Sequence, residues 1–354
     1  MAINEEIVTA GIDTHADTHH VAIINQYGKR LADKEFLTVA SGYRKLIEFL
    51  HQFGPLTAVG IEGTGCYGAE ITRWLTKAGI TVVEVNRPNR KNRRQDGKSD
   101  PLDAYSAAEA VLADRAKAEP KHRDNFVESI RALKVVRSSA MKSRTQTINQ
   151  IIGLLTSASE EIRSKYRSLH GRKLACALKN SRPGTNLSNP NTATRYALRL
   201  LGSRYETLTL EIVQIDGHLA ELLKTHAPDL LKIIGIGTEV ASQLLITAGD
   251  NPERIRTEAA LAALTGTAPL PASSGKTNRH RLSRGGDRAA NSAIHRIVLV
   301  RMRHHDATRA YVIKRTTEGL SKREIIRCLK RYVVREIHRT LIQHIPPTSA
   351  DNAS

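Results

Sequence analysis

The chain has 354 residues, and its 54 Lys plus Arg against 35 Asp plus Glu give a net charge of +19, the electrostatic footprint of a polyanion partner. No apolar run approaches the roughly 20 residues that a membrane-spanning helix needs, and the N-terminus has no basic segment leading into an apolar core, as a secretory signal would. Cys66, Cys176 and Cys328 are odd in number and widely separated, which excludes a disulfide framework or a zinc site, and aromatics at 4% leave few stacking platforms.

Residues 6–12 form a β-prone apolar run, followed by 20–25 and, after a Gln26-Tyr27-Gly28-Lys29 turn, by 30–38, which predicts a three-stranded antiparallel meander. Leu46, Ile47, Leu50 and Phe53 recur at helical spacing over 43–53. A short buried-type strand at 57–62, a helix at 69–78 and a strand at 80–85 complete a β-β-β-α-β-α-β-α order, which is that of an RNase H-like mixed sheet. A basic connector, 86–98, carries Arg90, Arg93 and Arg94. A helix starts near Asp100, with Asp100 read as its N-cap and Pro101 at the first helical position.

From 122 to 175 the pattern is helical and polar, with a discontinuous apolar stripe (Ile130, Leu133, Val136, Met141, Ile148, Ile151, Ile152, Leu155) that predicts long helices paired as a coiled coil. Residues 181–193 are rich in turn formers and read as a linker, and another helix spans 203–225. Residues 230–241 read as helix, Gly235-Ile236-Gly237 hairpin and helix. Residues 265–284 have β or loop character, 287–304 and 321–343 are basic helices, and the tail from Pro346 is disordered. The fold class is α/β plus α. Its N-terminal RNase H-like domain covers 1–118 and a long-helical arm covers 119–226. A mainly helical C-terminal domain with a helix-hairpin-helix-like segment covers 227–345, ahead of the tail at 346–354.

Four carboxylates are placed for chemistry. Asp13 and Glu62 end neighbouring strands, and Asp100 and Asp103, three apart, share the first turn of a helix. Gathered together, such like charges need a divalent cation among them, and phosphodiester chemistry needs hard oxygen ligands for that cation. Taken singly, each acid has a plainer reading: a helix start for Asp100 and Asp103, a turn for Asp13, a solvated strand end for Glu62. His15, His19 and His20 match no metal-site spacing. Ser274 lies in a stretch with Lys276, Arg279, Arg281 and Arg284. It reads either as a nucleophile beside phosphate-holding cations or as a Ser/Gly turn flanked by phosphate contacts. Gly235 and Gly237 read either as backbone donors to phosphate or as a tight interhelical loop.

Six motifs in order then carry a resemblance. They are Gly11-Ile12-Asp13-Thr14-His15, Gly60-Ile61-Glu62-Gly63-Thr64-Gly65, Lys98-Ser99-Asp100-Pro101-Leu102-Asp103-Ala104, Ile234-Gly235-Ile236-Gly237, Leu264-Thr265-Gly266-Thr267-Ala268-Pro269 and Ser274-Gly275. Over about residues 6–343 the chain resembles the DEDD-type insertion-sequence transposases, relatives of the Piv/MooV DNA invertases. The resemblance implies a RuvC-like domain in which Asp13, Glu62, Asp100 and Asp103 bind Mg2+ or Mn2+. It implies that Ser274 becomes covalently joined to DNA, and that the two half-sites come from different protomers of a homo-oligomer, a dimer assembling to a tetramer. It further implies donor and target DNA as substrates, a structured guide RNA encoded by the element as partner, and a cytoplasmic, nucleoid-associated bacterial location. Family serines usually follow a non-serine residue, whereas here Ser273 precedes Ser274. The rival readings are a RuvC-like nuclease or junction resolvase with water as nucleophile, and a nucleic-acid-binding protein on a decayed nuclease fold.

Overall fold

The computed structural model describes residues 6–85, 99–274, 280–281, 283 and 285–344. Arg90, Arg93, Arg94, Lys276, Arg279, Arg284 and the tail at 346–354 lie outside the described residues. The described chain is mixed α/β and 61% helical, with a five-stranded mixed sheet and thirteen α-helices. Its described residues divide into two units, the first holding those through Arg123 together with Gly249–Arg256, and the second holding Asp124–Ala248 and those from Thr257 to His344.

In the first unit the apolar runs become β1 (Val8–Thr14) and β2 (Thr18–Asn25), and a more polar run becomes the edge strand β3 (Arg30–Leu37). Then come α1 (Ala40–Leu50), β4 (Leu56–Glu62), α2 (Ala69–Lys77), β5 (Val82–Val85) and α3 (Asp100–Leu112). The strand order is β3-β2-β1-β4-β5. β1 is antiparallel to β2 and parallel to β4, which is parallel in turn to β5. Alternation sets the two faces. Ile12, Ile23 and Ile61 pack with Leu46 and Leu50 of α1 and with Ile71 and Leu75 of α2. On the opposite face Ala22 and Ile24 pack with Ala104, Tyr105 and Ala108 of α3. Two glycines let α3 lie close to the sheet. A Cβ on Gly11 would sit 2.1 Å from the Ala104 carbonyl oxygen, and one on its register partner Gly60 would sit 2.7 Å from that of Ala107.

The segment Gly249–Arg256, although late in sequence, belongs to this unit. Asn251 Nδ2 donates to the Pro120 carbonyl (3.0 Å), and the Arg254 guanidinium pairs with Glu84 of β5 at 3.3 Å.

The second unit is helical. Its long elements are α4 (Phe126–Ser157) and α7 (Pro190–His226), about 48 and 55 Å long at 1.5 Å per residue, with α5 (Glu160–Tyr166) and α6 (Gly171–Lys179) between them. Residues 198, 202, 206, 209, 212, 215, 219 and 223 of α7 are buried, close to a 3.6-residue period. The predicted stripe on α4 is only partly the buried one: Ile130 and Ile151 are buried, but Val136 and Ile152 are exposed. Lys134, Ala140 and Thr147 take the intervening buried positions. Arg137 of α4 joins Asp216 of α7 (2.5 Å) and Glu239 (2.9 Å), which also receives Lys134 Nζ at 2.8 Å.

Downstream lie α8 (Pro228–Lys232), α9 (Thr238–Ala248), α10 (Glu258–Leu264) and the small hairpin β6 (Leu270–Pro271) and β7 (His280–Arg281). Three helices close the described chain: α11 (Arg288–His304), α12 (Asp306–Thr317) and α13 (Lys322–His344). None of the described helices is long and apolar enough to cross a membrane.

Candidate active site

The glycine-permitted approach of α3 determines what happens at the sheet's end. Asp13 lies two residues beyond Gly11 and Glu62 two beyond Gly60, so both acids share the face that α3 covers. The parallel register Ile12↔Ile61 leaves Asp13 and Glu62 level at adjacent strand ends. Thr14 Oγ1 fastens the ends together by donating to the Glu62 carbonyl at 2.9 Å. From the other side α3 begins its first turn there. Its cap is Ser99, not Asp100: Ser99 is extended, and its carbonyl accepts from Asp103 N–H at 3.1 Å. Pro101 fits the first turn because it lacks the N–H that would go unpaired. Asp100 is thereby left facing the cluster instead of closing the helix.

Asp13, His15 and Asp100 present ligand atoms all within 4.8 Å of one another. His15 Nε2 stands between the two carboxylates, 3.1 Å from Asp13 and 3.3 Å from Asp100. Burial pushes the Asp13 carboxyl above the usual carboxylate range, His15 opposes that, and the neighbouring Asp103 and Asp100 raise it further. Asp103 is itself buried, while Glu62 is half-buried at its strand end and lies outside the three-ligand group. Sequence reasoning set His15 aside. Its signal was its place just past the end of β1, two residues from Asp13.

The turn after Glu62 is also braced. Thr64 Oγ1 donates to Glu84 Oε1 at 2.8 Å, and Glu84 is the acid that receives Arg254. The Arg123 guanidinium lies 3.1 Å from where a Gly65 Cβ would be, and Arg123 holds a left-handed backbone, φ 60°. Non-glycine residues take that conformation only under local constraint. Neither arginine was singled out from sequence.

In the second unit Ser273 and Ser274 are exposed on the connection between β6 and β7, and Arg281 is exposed on β7. The base of this hairpin is pinned. Asn291 Nδ2 donates to the carbonyls of Thr265 (2.8 Å) and Gly266 (3.0 Å), and Asp287 N–H donates to the Leu264 carbonyl at 2.7 Å. Asp287 also caps α11 through Ala289 N–H (2.7 Å). Gly235 and Gly237 form the turn from α8 to α9. Gly235 needs its glycine, with φ +92° and Ile297 of α11 within 3.1 Å of a Cβ, so its backbone is taken up in packing. Arg301 Nε donates to the Ile234 carbonyl at 2.8 Å. Gly237 is open, and its carbonyl starts α9 by accepting from Ala241 N–H.

A sequence profile for DEDD transposases of the IS110 type matches residues 10–160. A second, described as transposase IS116/IS110/IS902 family, matches 227–312. The chain is 23% identical to the insertion element IS900 uncharacterized 42 kDa protein of Mycobacterium paratuberculosis, covering 92% of this chain and 93% of that protein. It is 24% identical to the insertion element IS110 uncharacterized 43.6 kDa protein of Streptomyces coelicolor, with 92% and 91% covered. The chain belongs to the IS110 family of insertion-sequence transposases, enzymes of DNA transposition and recombination.

Proposed function

We propose that the protein cuts and rejoins DNA through a covalent Ser274–DNA intermediate, with Asp13, Glu62, Asp100 and Asp103 holding Mg2+ or Mn2+ on a RuvC-like sheet. The observation that carries the metal half is the convergence of Asp13 and Asp100 within 4.8 Å on a buried strand end. The strand order β3-β2-β1-β4-β5 supports the RNase H-like reading. The residues fit a hard divalent ion: they offer carboxylate oxygens, and burial with mutual repulsion makes Asp13 costly to ionise without a cation. When bound, such an ion stabilises charge building on phosphate oxygens. Asp13 and Asp100, with Glu62 and Asp103, would hold the ion, and the Thr14–Glu62 bond holds the two strand ends level.

At the serine, Oγ forms a bond to phosphorus as the bond from phosphorus to a sugar oxygen breaks. The hydroxyl proton departs, and the released sugar oxygen gains one. Attack by a sugar hydroxyl on the phosphoserine reverses the step and rejoins strands. Exposed cations such as Arg281 would neutralise the phosphate. The net charge of +19 supports a chain holding DNA together with a structured guide RNA encoded by the element. Apolar side chains left exposed on the long helices, among them Val135, Val136, Leu210 and Val213, support assembly with further copies.

The test is a recombination assay with trapping of protein–DNA adducts. Ser274→Ala combined with Ser273→Ala is expected to abolish both adduct and strand exchange, and exchange at wild-type rate in that variant would sink the serine mechanism. Asp13→Asn is expected to reduce cleavage in Mg2+ by at least about a hundredfold, the scale of a lost metal-held stabilisation. Full cleavage by that variant would remove the metal site.

A further inference from the structure

Beside the serine hairpin the second unit contains a cleft of about 1210 Å³, walled by β7 and the turn at Gly266–Pro269 on one side and by α12 and α13 on the other. Its walls are cationic: Arg281, Lys314, Arg315, Arg327, Lys330 and Arg335 line it, with Glu324 as the acid among the lining residues. Some of that charge is already matched, Arg315 by Glu318 and Arg335 by Glu258. Lys330 is different. It is 8% exposed, and its Nζ donates to Asn291 Oδ1 at 2.6 Å, a neutral partner. No carboxylate pairs with it among the described residues. The Asn291 amide is turned toward it because its nitrogen is spent on Thr265 and Gly266. Burial holds the Lys330 ammonium below its ordinary range, and burial first, then the Lys330 charge, lowers His295 on the facing helix. A nearly buried cation without a counter-ion is costly, and an anion entering the cleft would offset that cost.

The cleft also carries Tyr311 and Tyr332, set edge to face at 5.5 Å, with Tyr332 51% exposed. An exposed ring among phosphate-binding cations suits an unpaired base next to a backbone phosphate, the pattern of single-strand binding. We propose that this cleft seats a single DNA strand, its phosphate against Lys330 and its base against Tyr332, next to the hairpin that carries Ser274. DNA is favoured over RNA because one wall of the cleft is the serine hairpin itself, so the strand held there is the one the serine would join. The inference rests on the reading of Ser274 given above.

The experiment measures binding of fluorescent single-stranded DNA, RNA of the same sequence and duplex DNA by anisotropy across a salt series. It uses the full chain carrying Ser273→Ala and Ser274→Ala, so no covalent chemistry is read and a failed adduct assay remains a separate result. Lys330→Gln is expected to weaken single-stranded DNA binding about tenfold and to lower the salt slope by about one contact. Its melting temperature is expected to stay level or rise, because a desolvated charge is gone, whereas a merely structural lysine would lower it. If Lys330→Gln does not fold, Lys314→Gln with Arg327→Gln, both on the exposed wall, decides the matter alone with the same expected loss. Unchanged single-stranded DNA affinity and slope, or a loss confined to RNA or to duplex, overturns the proposal.

Discussion

Asp13 must be ionised to bind a cation, yet burial and two neighbouring aspartates oppose its ionisation. The adjacent strand holds a second buried titratable group with the opposite logic. His19 is fully buried, stacks on Tyr43 at 5.9 Å, and is pushed down to about 4 chiefly by desolvation. The unfolded chain takes up that proton near pH 6.5, so the folded state is penalised wherever the ring must charge. Stability from this group is fully present above about 6.5 and is lost as pH falls toward 4. The amount is roughly 3 kcal/mol. Thermal unfolding of the protein between pH 7 and 4 should therefore show a loss that His19→Phe reduces. An identical pH profile in the variant would refute this assignment.

The element that builds the candidate site is α3, and its closeness to the sheet depends on the absence of two side chains. Gly11→Ala would drive a Cβ to 2.1 Å from one backbone atom of α3 and 2.4 Å from another, contacts that no rotamer relieves. The expected cost is about 1–3 kcal/mol of stability, the scale of overpacking. Because the displaced helix carries Asp100 and Asp103, Mn2+ binding measured by calorimetry should weaken in the same variant. Gly60→Ala, with its closest approach at 2.7 Å, should do the same more mildly. A Gly11→Ala chain that melts and binds Mn2+ like the parent would contradict the account.

Sequence periodicity reached the meander, β4, β5 and the start of α3, because two-residue alternation and a proline in a helix's first turn are local signals. It did not reach what tertiary packing decides. Asn189-Pro190 reads as a turn but is a cap and first helical residue, with Asn189 Oδ1 accepting from Asn191 and Thr192, so α7 starts well before the expected 203. α12 buries little beyond Thr308 and so shows no apolar period to read. The bracing of Glu84 by Arg254 spans 170 residues and has no sequence signature.

At the scale of the molecule, the long helices pose the remaining physical question, since they expose more apolar surface than solitary helices need. Leu210 and Val213, three apart on α7, are 57% and 60% exposed, and Val135 and Val136 of α4 are exposed as well. Scattered exposed hydrophobics are ordinary, but these sit on a paired-helix arm whose buried seam is already filled by Leu198, Ile212, Leu219 and Leu223. Fully burying a leucine or valine side chain is worth about 1.5–3 kcal/mol, so covering these half-exposed residues in a second copy would contribute part of that each, against the cost of association. Leu210→Glu with Val213→Glu should leave the helical content and melting temperature near those of the parent, because neither residue is in the buried seam. Light scattering should show a shift toward monomer by at least tenfold in apparent dissociation constant, since each charge must be desolvated on association. Under the proposed mechanism, with the acids and the serine supplied by different copies, strand exchange should fall in step with the multimer. An unchanged mass distribution in this variant would move the assembly surface off the arm.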